Sequence, residues 1–179
     1  MPEARLEDAG SGLAPASEGW FVVNVRDTQW WVSKAFGSGC NFDTREFAFP
    51  QLGINITVIE PGQPACLYHS ENQQEDFLVL AGECLMLVDG EERPLKAWDF
   101  VHLPAGVEHV FVGAGEGPCI VLMTGARTPD EKILYPKSEF AARYGASAEE
   151  ETPEPKRAYA PYEPPERARP AYWDSLPWA

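Results

Sequence analysis

Leu67-Tyr-His-Ser-Glu-Asn-Gln-Gln-Glu-Asp-Phe-Leu-Val-Leu-Ala-Gly82 holds two short strand-like runs separated by the turn residues Asn72, Gln73 and Gln74. In a strand, residues i and i+2 point to one side, so His69 and Glu71 share a face. Glu75, Phe77 and Val79 share a face in the next run, expected to be a barrel interior, with Asp76 and Leu78 directed away. Downstream, Pro104-Ala-Gly-Val-Glu-His109 brings a further imidazole out of a turn set by Pro104 and Gly106. His69, Glu71, Glu75 and His109 are therefore four candidate metal ligands, each beside a short apolar strand. Taken singly, each has an ordinary reading: Glu75 as a solvated strand end, His109 as a hydrogen-bonded buried imidazole. Their joint spacing with Gly62, Gly82, Pro104 and Gly106 carries the assignment.

Imidazole with carboxylate suits one divalent ion of borderline or hard character: Zn, Mn, Fe, Co or Ni. Two neutral histidines and two carboxylates balance its charge. Positions left to water or substrate fit a catalytic centre rather than a closed structural one. Phe77, Val79 and Phe111 are expected to line an apolar pocket beside it. His102 alternates out of phase with Val101 and Leu103 and is placed off the metal.

Working outward, short β-type runs recur with turn residues between them and no helices. They are Gly19–Val25, Gln29–Phe36, Ile54–Ile59, Phe77–Leu80, Leu85–Val88, Asp99–Leu103, Val110–Val112 and Cys119–Thr124. Asp89-Gly90 between apolar runs is a two-residue hairpin signal, because both positions tolerate positive φ. Many short strands at this spacing mean an all-β sandwich or barrel, here over residues 19–127. Residues 1–18, small, polar and acidic, read as a disordered leader. Residues 128–148 read as a short helical segment, with a helix start at Thr128-Pro-Asp-Glu and a second helix over 138–145, capped by Ser138 and stopped by Gly145. Residues 149–179 hold seven of the chain's 17 prolines, a composition that forms no core of its own. Tyr159, Tyr162, Tyr172, Trp173 and Trp178 make this tail unusually aromatic. Two readings stay open: it wraps over the barrel or a sister subunit, or it is free.

The 179 residues (19.8 kDa) suffice for one core. A formal net charge of −14 disfavours nucleic acid or an anionic membrane surface as partner. No apolar run is long enough for a spanning helix, and the acidic N-terminus lacks an apolar signal core, so a cytoplasmic protein is expected. Cys40, Cys66, Cys84 and Cys119 form no CxxC pair and are expected as reduced thiols. Between Gly62 and Gly113 the only cationic side chains are Arg93 and Lys96, little with which to clamp a phosphate.

These residues resemble the two motifs of the cupin superfamily, in its small single-domain microbial form, over about residues 53–125. The first motif sets a glycine before a His-x-His pair, then a glutamate, then a second glycine. Gly62, His69, Glu71, Glu75 and Gly82 follow that order, with Glu71 at the second histidine. One residue more than in the motif separates Gly62 from His69. The second motif is matched by Pro104, Gly106 and His109, while Trp98 stands at its first glycine and Gly113 at its closing asparagine. Trp98 would need a backbone conformation acceptable to a bulky residue, so that turn is expected to differ. The resemblance implies a double-stranded β-helix (jelly-roll) barrel, here with a short C-terminal helix and extended tail, metal in the barrel mouth, and a homodimer. It also implies a small-molecule ligand and an oxygenase, isomerase or decarboxylase type of enzyme. The other reading is a non-catalytic cupin module that recognises a small ligand or a protein partner. A sugar-phosphate isomerase is disfavoured by the scarcity of Lys and Arg, although Arg127 or Lys34 could reach in.

Overall fold

Asp89 (φ 45°) and Gly90 (φ 78°) make the expected tight turn, and the strands around them set the pattern of the molecule. The structure is a computed structural model that describes residues 1–178. Among these residues are β1 (Leu6–Asp8), β2 (Leu13–Pro15), β3 (Trp30–Val32), β4 (Ser38–Asn41), β5 (Leu52–Ile59), β6 (Ser70–Glu71) and β7 (Glu75–Ala81). There follow β8 (Glu83–Val88), β9 (Glu91–Lys96), β10 (Phe100–Leu103), β11 (His109–Ala114), β12 (Cys119–Ala126) and β13 (Ile133–Leu134). Two single-turn helices, α1 (Glu139–Ala142) and α2 (Pro155–Ala158), precede β14 (Glu166–Arg167).

The large sheet runs β10-β7-β12-β5-β4-β3-β14. The small one runs β11-β8-β9, and the pair β13-β6 joins it edge-on where His69 and His109 exchange main-chain hydrogen bonds. Ile59, Phe77, Val79 and Val121 from the large sheet meet Met86 and Phe111 from the small one in a buried core. Each such side chain contributes about 1.5–3 kcal/mol by leaving water. The result is the all-β barrel that the strand pattern implies, in the double-stranded β-helix form that the resemblance implies. Among the described residues no helix is long and apolar enough to cross a membrane.

Several expectations are corrected. Residues 1–18 are an ordered hairpin: β1 pairs with β2, Ala4 and Ala14 are buried, and Glu3 bridges to Trp20. Its small side chains lie flat on the protein, which a composition reading takes for disorder. Residues 19–25 form no strand, and a 3-10 turn follows at Val25–Asp27. No helix starts at Thr128; residues 133–134 instead extend the small sheet as β13. The second helix is present but shorter than 138–145: a single turn over Glu139–Ala142, with Ser138 Oγ accepting from Ala141 N at 3.2 Å and Gly145, at φ 68°, ending the turn that follows. β9, Glu-Glu-Arg-Pro-Leu-Lys, escapes a hydrophobic reading because it is almost wholly exposed and is held by its ladder to β8.

The tail docks on its own barrel. Trp173 and Leu176 are buried against Trp30, Val58 and Ile120, and Trp173 meets Trp30 edge to face at 5.2 Å. Tyr159 and Tyr162 pack on Phe36 at 5.3 and 4.8 Å, while β14 adds an edge strand to β3.

Trp98 does not avoid the glycine-like turn but adopts it, at φ 76° with its ring 75% exposed. Main-chain bonds Trp98 N to Val79 O (2.7 Å) and Val79 N to Asp99 O (3.1 Å) hold it there. The left-handed region costs a non-glycine residue about 1–2 kcal/mol, and this ring recovers little by burial. Trp98→Gly is expected to raise stability by about 1 kcal/mol, seen as a higher urea midpoint with an unchanged slope. A lower midpoint would show that the indole is held by contacts in the folded protein.

Candidate metal centre

Two residues directly opposite on antiparallel chains, exchanging both main-chain hydrogen bonds, must send their side chains to the same face. His69 and His109 are such a pair: His69 N donates to His109 O at 3.1 Å and His109 N to His69 O at 2.8 Å. Their rings lie 4.7 Å apart between centroids. Glu75 arrives from the facing sheet, at the start of β7 beside Gly125 of β12. Its Oε2 is 3.5 Å from Nε2 of His109. One ligand atom from each of His69, Glu75 and His109 lies within 4.8 Å of the others.

The imidazoles are oriented as metal ligands are. Nδ1 of His69 is 2.8 Å from the carbonyl of Leu67, and Nδ1 of His109 is 3.1 Å from that of Val107. A carbonyl only accepts, so each Nδ1 carries the proton and each Nε2 turns a lone pair into the cavity. Burial lowers the pKa of both rings, and that of His109, further depressed by His69, falls to about 3. Both are neutral near pH 7. Burial raises the Glu75 carboxyl to about 8, with help from Glu71 and Glu131. Burial likewise raises Glu71, with Glu131 adding to it. Three carboxyl groups thus crowd a cavity with neutral imidazole donors, an environment that a divalent cation relieves.

Glu71 is the departure from the expected four. Its Oε1 stands 4.0 Å from Nε2 of His69, outside the group of three. β6 is paired with β13 rather than with β7, and Glu71 lines the cavity with its side chain 17% exposed. His102 lies on the outer face, 52% exposed at its side chain, with Nδ1 2.7 Å from Asp76 Oδ1. The alternation of β7 and β10 put it there.

The cavity holds about 380 Å³. Phe77 and Phe111 line it, 4.8 Å apart between ring centroids. Val79 does not line it; one strand repeat deeper and fully buried, it lies in the core beneath those two rings. Asn55, Thr57, Met123, Arg127 and Glu131 also face the cavity. Only Arg127 among these was singled out in the sequence; the others sit on strands or turns whose register becomes visible only in the folded sheet. Arg127 spends Nη1 on Asp43 (2.7 Å) and the carbonyl of Phe49 (2.8 Å). Lys34 is turned to Glu163 of the tail.

The profile of the cupin domain matches residues 55–125, the segment that supplies all three grouped ligands. This chain carries a cupin domain. Gly113, at the position of the motif's asparagine, is explained by its neighbours: a Cβ there would stand 2.1 Å from the carbonyl oxygen of Glu60. Among solved structures the chain is similar to a sugar phosphate isomerase from Silicibacter pomeroyi at 24% identity and TM-score 0.58, over 66% of this chain and 83% of that one. It is also similar to a polyketide cyclase from Streptomyces resistomycificus at 14% identity and TM-score 0.53, over 62% and 82%. For a candidate sugar phosphate isomerase from Acidithiobacillus ferrooxidans the figures are 23% and 0.50, over 55% of this chain and 64% of that one, so the match spans less than two thirds of that relative's length. No curated protein sequence matches the chain. These likenesses speak for the cupin fold alone.

Proposed function

We propose that the protein is a metal-dependent cupin enzyme acting on a small organic molecule, of oxygenase, isomerase or decarboxylase type. The observation that carries this reading is the pair of lone pairs turned inward by main-chain carbonyls, Nε2 of His69 and His109, beside the partly buried carboxyl group of Glu75. His69, Glu75 and His109 would hold the ion, which leaves room for a ligand oxygen, and Glu71, with Oε1 4.0 Å from Nε2 of His69, would tune its charge. A divalent ion bound there supplies Lewis acidity toward oxygen. The chain itself supplies the dry floor, Phe77 and Phe111, which strengthens every polar contact above it. With this reading goes the expectation of a cytoplasmic homodimer; Trp98 and Phe100, exposed at the β10 edge of the large sheet, offer apolar surface to a second copy.

The test is a turnover screen of metal-loaded protein against small hydroxy and keto acids, enediols and sugar phosphates. Turnover that a chelator stops, and that His109→Ala lacks, is the expected result. Tight metal binding with ligand affinity and no turnover would move the protein to the non-catalytic binding module.

The tail reaches this centre through one residue. Tyr159 Oη accepts from Leu67 N at 3.0 Å, and Leu67 O is the partner of His69 Nδ1. Groups behind a ligand are worth about 10–100-fold in metal affinity. Tyr159→Phe is expected to weaken metal binding about tenfold and to cost about 1–3 kcal/mol for the unpaired Leu67 N–H. Chelator competition reads the first effect and urea unfolding the second. An unchanged affinity in a destabilised variant would confine Tyr159 to packing.

A further inference from the structure

Behind the wall of the metal cavity lies a second, larger one of about 710 Å³, within the range of small-molecule sites. Trp31 and Phe36 of the barrel form one side, and Tyr162, Pro164 and Pro165 of the tail form the other. The tail spans this space without filling it. It is pinned on one side by Tyr159, bonded to Leu67, and on the other by β14, whose Arg167 guanidinium lies 4.9 Å from the centre of the Trp31 ring. Between these anchors runs Pro161-Tyr-Glu-Pro-Pro165, where three prolines fix φ and make a stiff strap. The space is therefore built in rather than opened by a ligand.

Gly39, Ala65 and Cys66 line both cavities, so the partition between them is made of small side chains. At Gly39 an added Cβ would meet Ile56 O at 3.5 Å and Thr57 Oγ1 at 3.6 Å, ordinary contacts, so a side chain would fit and none is present. Cys66 Sγ is 3.7 Å from Nδ1 of His69 on the metal side. Of the polar groups of the second cavity, Ser33 Oγ accepts from Ala35 N and Phe36 N and Glu163 pairs with Lys34, while Asn41, Lys156 and Tyr162 bring further polar ends to the lining. Its apolar part is aromatic rings set edge to face, Phe36 with Tyr162 and with Tyr159, an arrangement that accepts another ring or an acyl chain.

We infer that the tail-roofed cavity binds the apolar portion of the substrate: an elongated molecule with oxygen donors at the His69, Glu75 and His109 end and an aromatic ring or short acyl chain under the strap. The oxygen end of this inference rests on the metal reading above; the apolar end does not.

Calorimetric titration of the full chain with two probes separates the two ends. 1-Naphthol, which has no chelating pair, is expected to bind saturably, one per chain, with or without zinc. Tyr162→Ala, which strips the roof, and Trp31→Ala, which strips the facing wall should the first variant misfold, are each expected to weaken it at least tenfold. 2,3-Dihydroxynaphthalene is expected to bind at least tenfold tighter to zinc-loaded than to metal-free protein. Absence of saturable naphthol binding, or equal binding by both variants, would overturn the apolar site. Zinc retained without any gain for the diol would overturn the link between the cavities. Naphthol bound and lost as stated, in a protein that does not retain zinc, would uphold the apolar site while the metal reading fails.

Discussion

His109→Ala is expected to abolish metal retention in a protein that still folds. His109 is 2% exposed, and its ring touches Phe77, His69 and Phe111, with centroids 5.4, 4.7 and 6.4 Å away. Structural zinc sites bind with about 10–16 kcal/mol; loss of one ligand of a few removes about 3 kcal/mol or more, roughly two orders of magnitude in affinity. The fold is spared because the ring is neutral and its one hydrogen bond is to a carbonyl of its own turn. The penalty there is confined to an unpaired Val107 oxygen and a small cavity. His102→Ala removes an outward-facing imidazole of β10, in the large sheet, and is expected to leave metal retention unchanged. Equal loss in both variants would dismantle the ligand assignment; circular dichroism confirms that each remains folded.

Removal of residues 149–179 is expected to produce the largest loss of stability of any change outside the core. The tail covers Trp30, which is fully buried, and supplies Trp173 and Leu176 at 8% and 4% exposure. On the other flank it supplies Tyr159 and Tyr162 to Phe36. Trp173→Ala is the graded form of the same test, because Trp→Ala in a packed site costs about 3–5 kcal/mol. For a chain of this size that lowers Tm by about 6–20 °C. The truncation should fall further, since it also uncovers the β3 edge and the Phe36 cluster. A melting curve that the truncation leaves unchanged would show the tail to be a free appendage, against every contact described above.

The barrel was legible because its strands alternate. β5, β7, β8, β10, β11 and β12 each carry apolar residues on the core face, and Asp89-Gly90 marks the tight turn out of β8. β9 was not legible, since both of its faces meet solvent and only its partner strand makes it a strand. Nor was β4, a Ser-Gly-Cys-Asn run whose place between β3 and β5 is a matter of register. The site divides the same way. His69, Glu75 and His109 follow from motif spacing, and the phase of β7 and β10 sets His102 outside. Glu71 follows His69 at i+2 and lines the same cavity, but its distance from the group of three cannot be read from β6, a two-residue strand without periodicity. Val79 was on the correct face but too deep to reach the cavity. The tail's aromatic residues announced contact without saying with what, because proline-rich chain docks through individual rings rather than through a repeating pattern.

The most direct measurement is the metal content of the purified protein, by elemental mass spectrometry without added metal, beside the double variant His69→Ala/His109→Ala. Near one transition-metal ion per chain in the native protein, and none in the variant, is the expected result. No metal in either, with zinc, manganese, iron, cobalt and nickel all failing to bind on addition, would contradict the metal centre.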